Sequence, residues 1–218
     1  MDHTGSGGCT VSGARTVAAL TAHACVLIDY DTGRTELHPA SAEAAAMGAA
    51  VVRLDDAAPS WGTIEVPAVL PGRTPVPLWW RMGAVPAVLL TSAAKVFGHR
   101  GRRFSRLVRL ACCGRSLPPA TRRQARYAVR AVRWASRVIP GRWACLEQST
   151  AAAVLLAAVG RRAEWRHGVA TDPVRLHAWI ADPRGVPVEE PADTALYNPT
   201  YTPDGPGPAI EGRNGEVP

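Results

Sequence analysis

Residues 141–160 read GRWACLEQSTAAAVLLAAVG, an apolar run with a glycine at each end. Gly141 breaks any preceding helix and Gly160 can end the next one, so the run predicts a helix of about four turns. Cys145 then lies at or just before the first turn. There, unpaired N–H groups and the positive end of the helix dipole favour a thiolate and lower the thiol pKa. Cys145 is therefore a candidate nucleophile that needs a base.

Three predicted strands follow this helix and supply a candidate base. They are RRAEWRHGVA (161–170), RLHAWIAD (175–182) and VPVEEP (186–191), the last two joined by a turn at 183–185. Alternation along a strand places His177 on the same face as Trp179. Another histidine, His167 in the first strand, has no Cys or acid at metal-ligand spacing, which favours a surface or core histidine over a metal ligand.

The third strand also brings an acid to His177, and the register decides which one. If residue 182 pairs with residue 186, Glu189 shares the face of His177, whereas a shift of one residue places Glu190 there. Asp182 is the remaining candidate, but it should face the other side of its strand. A carboxylate beside the imidazole would fix its tautomer and stabilise the imidazolium, which completes a set of nucleophile, base and orienting acid.

Four motifs in this order carry a family resemblance: CLEQSTAAA (145–153), WRHGV (165–169), DPVRLHAW (172–179) and GVPVEEP (185–191). Together they resemble the B proteins of lasso-peptide biosynthesis, transglutaminase-like cysteine peptidases that remove the leader from a precursor peptide. The resemblance covers roughly residues 80 to 200. It implies an α+β fold with a papain-like core, in which a Cys-bearing helix packs on a small antiparallel sheet.

The resemblance also implies roles and partners. It assigns Cys145 as nucleophile and His177 as base, and it favours Glu190 as the acid, because the family's acid tends to precede a proline in the third strand. Such a peptidase needs neither cofactor nor metal. Its expected partners are the precursor peptide, a leader-recognition protein and a separate lasso cyclase, which would close the macrolactam on the freed core amine.

The first 78 residues predict an accessory unit. A hairpin is expected over residues 22–38, with DTG (31–33) as its turn, followed by a helix capped by Ser41 and drawing on AEAAAMGAAVVRL (42–54). This part is similar to the opening of the leader-recognition domain of peptide-modifying pathways, a winged-helix fold. Proline-rich sequence at 58–77 replaces the helices that would complete a peptide groove, which predicts a degenerate scaffold that leans on the catalytic domain.

The peptidase domain is expected over residues 79–202, with a disordered tail at 203–218. Its helical subdomain is predicted from PAVLLTSAAKVFGH (86–99) and PATRRQARYAVRAVRWASRVI (119–139). In the second segment the apolar residues follow a helical stripe and the arginines lie elsewhere on the surface.

Composition excludes several classes of protein. The chain has 218 residues, 47% of them hydrophobic and 20% charged, which argues against a disordered or fibrous chain. Five cysteines without a CxxC pair argue against a disulfide framework or a zinc ribbon. No long apolar run and no signal peptide is apparent, so a cytoplasmic protein without a membrane partner is expected.

Charge is distributed unevenly along the chain. Between Glu65 and Glu147 there are fifteen arginines, Lys95 and no acid, so this part carries +16 and the remainder −9, since the whole chain carries +7. Such a block attracts polyanions or folds against the chain's own acidic part. The basic block keeps open a non-enzymatic adaptor that binds nucleic acid or an acidic peptide through residues 100–142. A second alternative to leader removal is acyl transfer to an amine by the same catalytic set.

Overall fold

A computed structural model describes residues 15–21, 23–48, 50–54, 75–139, 141–171 and 173–207. The helices in these ranges are α1 (Ala42–Ala46), α2 (Leu78–Val96), α3 (Arg103–Ala111), α4 (Arg122–Ala135) and α5 (Cys145–Ala158). The strands are β1 (Thr16–Leu20), β2 (Ala24–Asp29), β3 (Thr35–Pro39), β4 (Ala50–Arg53), β5 (Glu164–Thr171), β6 (Val174–Ala181), β7 (Asn198–Thr202) and β8 (Gly205–Pro206). The predicted α+β class is confirmed.

Helix α5 is the central element of the C-terminal part. It contacts α2, α3 and α4 as well as β5 and β6, and most of its side chains are buried, which explains its apolar composition on nearly every face. The sheet beside it has the strand order β6-β5-β7-β8, with every pairing antiparallel. Gly160 follows the helix with a positive φ of 72°, so the predicted helix end is correct.

The helical subdomain differs from the prediction in its boundaries. Helix α2 begins at Leu78 and continues through Pro86, where the proline leaves the carbonyl of exposed Met82 without its helical donor. Helix α4 lies inside the predicted segment 119–139. Its first turn is closed by Thr121 and Gln124, each of which accepts a backbone N–H of the other. Helix α3 was not predicted.

The N-terminal sheet has the strand order β3-β2-β1-β4. The hairpin of β2 and β3 and the Ser41 cap of α1 agree with the prediction. The helix expected over 42–54 was wrong in its second half, because α1 ends at Ala46 and Ala50–Arg53 forms β4, parallel to β1. Valines 51 and 52 favour a strand at this position.

The two central strands of this sheet, β1 and β2, are buried on both faces. On β2, Val26 and Ile28 point into the main core, whereas Cys25 and Leu27 pack with Ala44 of α1. The sheet therefore packs directly on the C-terminal part, as expected for a scaffold that leans on it.

Two expectations concern the ends of the described ranges. Strand β8 pairs with β7, so the disordered tail predicted from residue 203 is wrong for residues 203–207, which are held by β7. Residues 1–14, 55–74 and 208–218 lie outside the described residues, and the range 55–74 includes most of the proline-rich sequence at 58–77. No helix in the described part is both long and apolar enough to cross a membrane.

Candidate active site

Cys145 is the first residue of α5. Its thiol interacts with the His177 ring and with the backbone N–H groups of Leu146 and Ala178, all of which lower its pKa. The Leu146 N–H is one of the helix-start donors that lack a partner in the helix, while the Ala178 N–H comes from β6. The sulfur is thus surrounded by donors that favour its thiolate form.

His177 lies on β6, the edge strand that faces α5. Its ring stacks on Trp179, with centroids 5.8 Å apart and planes inclined by 11°. Its Nε2 atom lies 3.1 Å from Oε2 of Glu190. Because Nε2 is occupied by the carboxylate, the ring nitrogen left for the Cys145 thiol is Nδ1.

The electrostatics of this pair favour a thiolate and an imidazolium. Burial acts against both charges, but the hydrogen bond and the attraction between the two side chains outweigh it. The pKa of Cys145 is lowered from its usual value, and the pKa of His177 is raised to about 9, with Glu190 adding to the effect. The two groups titrate as a coupled pair.

Glu190, and not Glu189, meets the imidazole, although the hairpin has the register that was expected to select Glu189. Ala181 pairs with Pro187, and Asp182 N–H bonds to Val186 O, which is the 182–186 pairing. The alternation of side chains between the two faces of the strand ends at Glu189, because this residue has a positive φ of 59°. The backbone turns there, and Glu190 faces His177 in place of Glu189.

Arginines of α4 hold both glutamates. Glu189 forms ion pairs with Arg126 at 3.0 Å and with Arg130 at 2.8 Å, and only 6% of its side chain is exposed. Arg133 contacts Glu190 Oε1 at 3.0 Å. The basic middle of the chain therefore folds in part against the chain's own acids, which was one of the two readings of its charge.

Asp182 does not approach the imidazole. Its carboxylate accepts the N–H groups of Arg184 and Val186 and pairs with Arg122 at 3.0 Å. It therefore stabilises the β-turn after β6.

Glu147 is a site residue that the sequence analysis missed as such. It is buried, accepts the N–H of Ala144 at 3.1 Å, and forms ion pairs with Lys95 at 2.9 Å and Arg103 at 2.8 Å. Lys95 also donates to the carbonyl of Arg142 at 2.6 Å. Glu147 thus fixes the loop before Cys145 to α2 and α3. The sequence does contain a signal for this role of Glu147, because an acid three residues after a helix N-cap is the second half of a capping box.

A cleft of about 230 Å³ is lined by Cys145, His177 and Glu190. Its walls include Trp143, Gln148, Val129 and Arg133 in addition to Cys145, His177 and Glu190. Within the described ranges, no group of three His, Cys, Asp or Glu side chains is arranged to hold a metal ion.

His167 is a satisfied core histidine on β5, behind the site. Its Nδ1 lies 2.7 Å from the Tyr30 hydroxyl, which lies 2.8 Å from the hydroxyl of Thr200. Tyr30 follows β2, so this buried network joins the accessory sheet to the sheet that carries His177. Burial and the nearby His177 lower the pKa of His167 to about 4, and the ring is neutral at pH 7.

This lowered pKa predicts an acid-sensitive fold. The unfolded pKa is about 6.5, so the native state binds fewer protons between pH 6.5 and 4, and stability falls as the pH falls through that window. From pH 7 to 5, His167 should cost the wild type about 2 kcal/mol of unfolding free energy. Chemical denaturation of wild type and of His167→Asn and His167→Gln checks this. The variants keep a neutral acceptor, so between pH 7 and pH 5 their unfolding free energy should fall by about 2 kcal/mol less than that of the wild type. An equal change with pH in wild type and variants would contradict the prediction.

A thiol at a helix N-terminus, beside a strand histidine that also contacts a carboxylate, is the arrangement that cysteine-dependent acyl transfer requires. The family model of the transglutaminase-like superfamily matches residues 87–202, and the chain belongs to that superfamily. The match includes α3, α4, α5 and the sheet from β5 to β7, and so contains all three residues of the site. Searches of curated proteins and of solved structures found no match.

Proposed function

We propose that the chain is a cysteine peptidase that removes the leader from a lasso-peptide precursor. The observation that carries the proposal is that Cys145, His177 and Glu190 line one cleft, where His177 contacts Glu190 and lowers the pKa of the Cys145 thiol. Membership of the transglutaminase-like superfamily supports cysteine-dependent chemistry. The motif resemblance described above supports the choice of substrate.

In the first half of the reaction, the Cys145 thiolate attacks the carbonyl carbon that joins leader to core. The His177 imidazolium then gives its Nδ1 proton to the core nitrogen, the C–N bond breaks, and the leader remains as a thioester. The raised pKa of His177, about 9, keeps the imidazolium available at neutral pH. Glu190 stabilises that cation from the Nε2 side.

In the second half, neutral His177 takes a proton from water as the water attacks the thioester. The C–S bond then breaks, the leader leaves as a carboxylic acid, and the Cys145 thiolate and the His177 imidazolium are restored. The N–H of Cys145, an unpaired donor at the start of α5, is placed to stabilise the developing oxyanion. The freed core carries an amine for macrolactam closure by a separate cyclase.

The partners follow from this role. They are the precursor peptide, a leader-recognition protein that presents it, and the cyclase that consumes the core. The accessory sheet contributes to the scaffold through the buried contact of Tyr30 with His167. Leader capture is assigned to the separate recognition protein.

The test is mass spectrometry of a lasso precursor incubated with the purified chain and its recognition protein. We expect two products, the leader acid and the core amine. Addition of a primary amine such as cadaverine separates the alternative, since an acyl-transferring enzyme would yield a leader–amine adduct in place of the acid. An intact precursor in all reactions, with the recognition protein present, would overturn the proposal.

Salt-dependent nucleic-acid binding, unaffected by loss of Cys145, would instead favour the basic adaptor. Ion pairs within the chain count against this alternative, because they already neutralise part of the positive charge. The arginines that pair with largely buried carboxylates are Arg103, Arg122, Arg126, Arg130 and Arg133.

A further inference from the structure

Three arginines of α4 face the acid segment after β6. Arg126, Arg130 and Arg133 recur at intervals of four and three residues, which places them along one face of the helix. The first two form ion pairs with the Glu189 carboxylate. Arg133 is different, because it contacts both glutamates.

Arg133 makes two contacts with one guanidinium. Its Nη2 atom lies 3.0 Å from Glu190 Oε1, and its Nη1 atom donates to the backbone carbonyl of Glu189 at 2.7 Å. The other oxygen of Glu190 faces His177. Arg133 therefore holds both the Glu190 carboxylate and the backbone peptide group that joins Glu189 to Glu190.

The second contact is needed because the backbone here has no strand partner to hold it. Glu189 occupies the left-handed region, which is strained for a residue with a side chain. A carbonyl anchored by Arg133, together with a side chain anchored by Arg126 and Arg130, fixes this turn. The planar fork of arginine suits two such acceptors, whereas a lysine offers a single point of charge.

We propose that Arg133 is a positioning residue, which holds the Glu190 carboxylate against His177 and thereby maintains the ion pair of His177 with Cys145. The inference rests on the nucleophile and base assigned under the proposed function, but not on the identity of the substrate. Arg133 also lines the cleft, so the competing role is direct binding of a substrate carboxylate.

The test measures the Cys145 thiolate without any substrate. The rate of iodoacetamide alkylation is measured as a function of pH and followed by peptide mapping, which separates Cys145 from the other cysteines. A carboxylate that is absent or misplaced raises the thiol pKa, and at a pH below the wild-type thiol pKa a rise of one unit lowers the thiolate fraction about 10-fold. We expect Glu190→Gln and Arg133→Gln each to slow alkylation about 10-fold.

The double variant decides the route of the effect. If Arg133 acts through Glu190, Arg133→Gln adds little to Glu190→Gln, and the double variant also stays near 10-fold. Losses that multiply to about 100-fold would overturn the inference, because they would show an independent effect of the Arg133 charge.

Two more variants complete the experiment. Arg133→Lys keeps the charge without the fork and should fall between wild type and Arg133→Gln; reactivity equal to wild type would also overturn the inference. Arg123→Gln removes an exposed arginine of the same helix and is the matched control, expected near wild type. A chain that shows this pattern but cleaves no precursor would refute the proposed function and leave the role of Arg133 in place.

Discussion

Cys145→Ala is expected to abolish leader removal, with a loss of at least about 10⁴-fold in single-turnover rate. The variant loses the thiolate, and alanine fits the first turn of α5 without disturbing the buried side of the helix. Folding, followed by circular dichroism, and binding of the precursor should be largely unchanged. Retained cleavage by this variant would contradict the assignment.

His177→Ala should be comparably severe, because His177 both stabilises the thiolate and protonates the core amine. The two residues act as one unit, so the double variant should be no slower than either single variant.

Cys112 and Cys113 supply the controls for the nucleophile. Burial raises the pKa of Cys112 to about 11, and burial also raises the pKa of Cys113, so both remain thiols at neutral pH. Replacement of either residue by alanine should leave turnover near the wild-type rate. A large loss in one of them, at matched folding stability, would point to a different nucleophile.

The sequence predicted the positions of Cys145 at a helix start and of His177 on a strand because both signals are local. A glycine-closed apolar run gives the helix start, and alternation along β6 gives the face of the imidazole. Which glutamate faces His177 depended on one backbone torsion, the φ of Glu189. The hairpin register agrees with the pairing considered from the sequence, yet the positive φ of Glu189 reverses its consequence, and only the resemblance favoured Glu190.

The charge distribution suggested pairing within the chain, but the particular partners of the α4 arginines were beyond the reach of the sequence. The arginines of α4 were placed on a solvent-exposed surface because helical periodicity separates apolar from polar faces only. It cannot say that Arg130 meets Glu189 across 59 residues of chain. Strand β4 was missed for a similar reason, since its partner β1 lies some thirty residues upstream and alanine-rich sequence around it favours a helix locally.

Glu190→Gln is expected to lower single-turnover cleavage by between about 10-fold and 10⁴-fold while the fold is kept. The amide is nearly isosteric, but it gives the imidazolium no negative partner, and its NH₂ group can replace the oxygen that now faces Nε2. The measurement uses the full precursor with its recognition protein, at a temperature where wild type and variant are equally folded.

Glu189→Gln is the matched comparison, because Glu189 is adjacent, buried and also bound by arginine. Its carboxylate contacts Arg126 and Arg130 and does not meet His177, so the variant should lose stability, by about 2 kcal/mol, more than turnover. Thermal unfolding and single-turnover cleavage, measured on the same samples, separate the two effects. A large loss of turnover in Glu189→Gln, with Glu190→Gln near wild type, would reverse the assignment of the orienting acid. If neither variant slows cleavage, Cys145 and His177 work as a dyad, since Asp182 is committed to its turn and to Arg122.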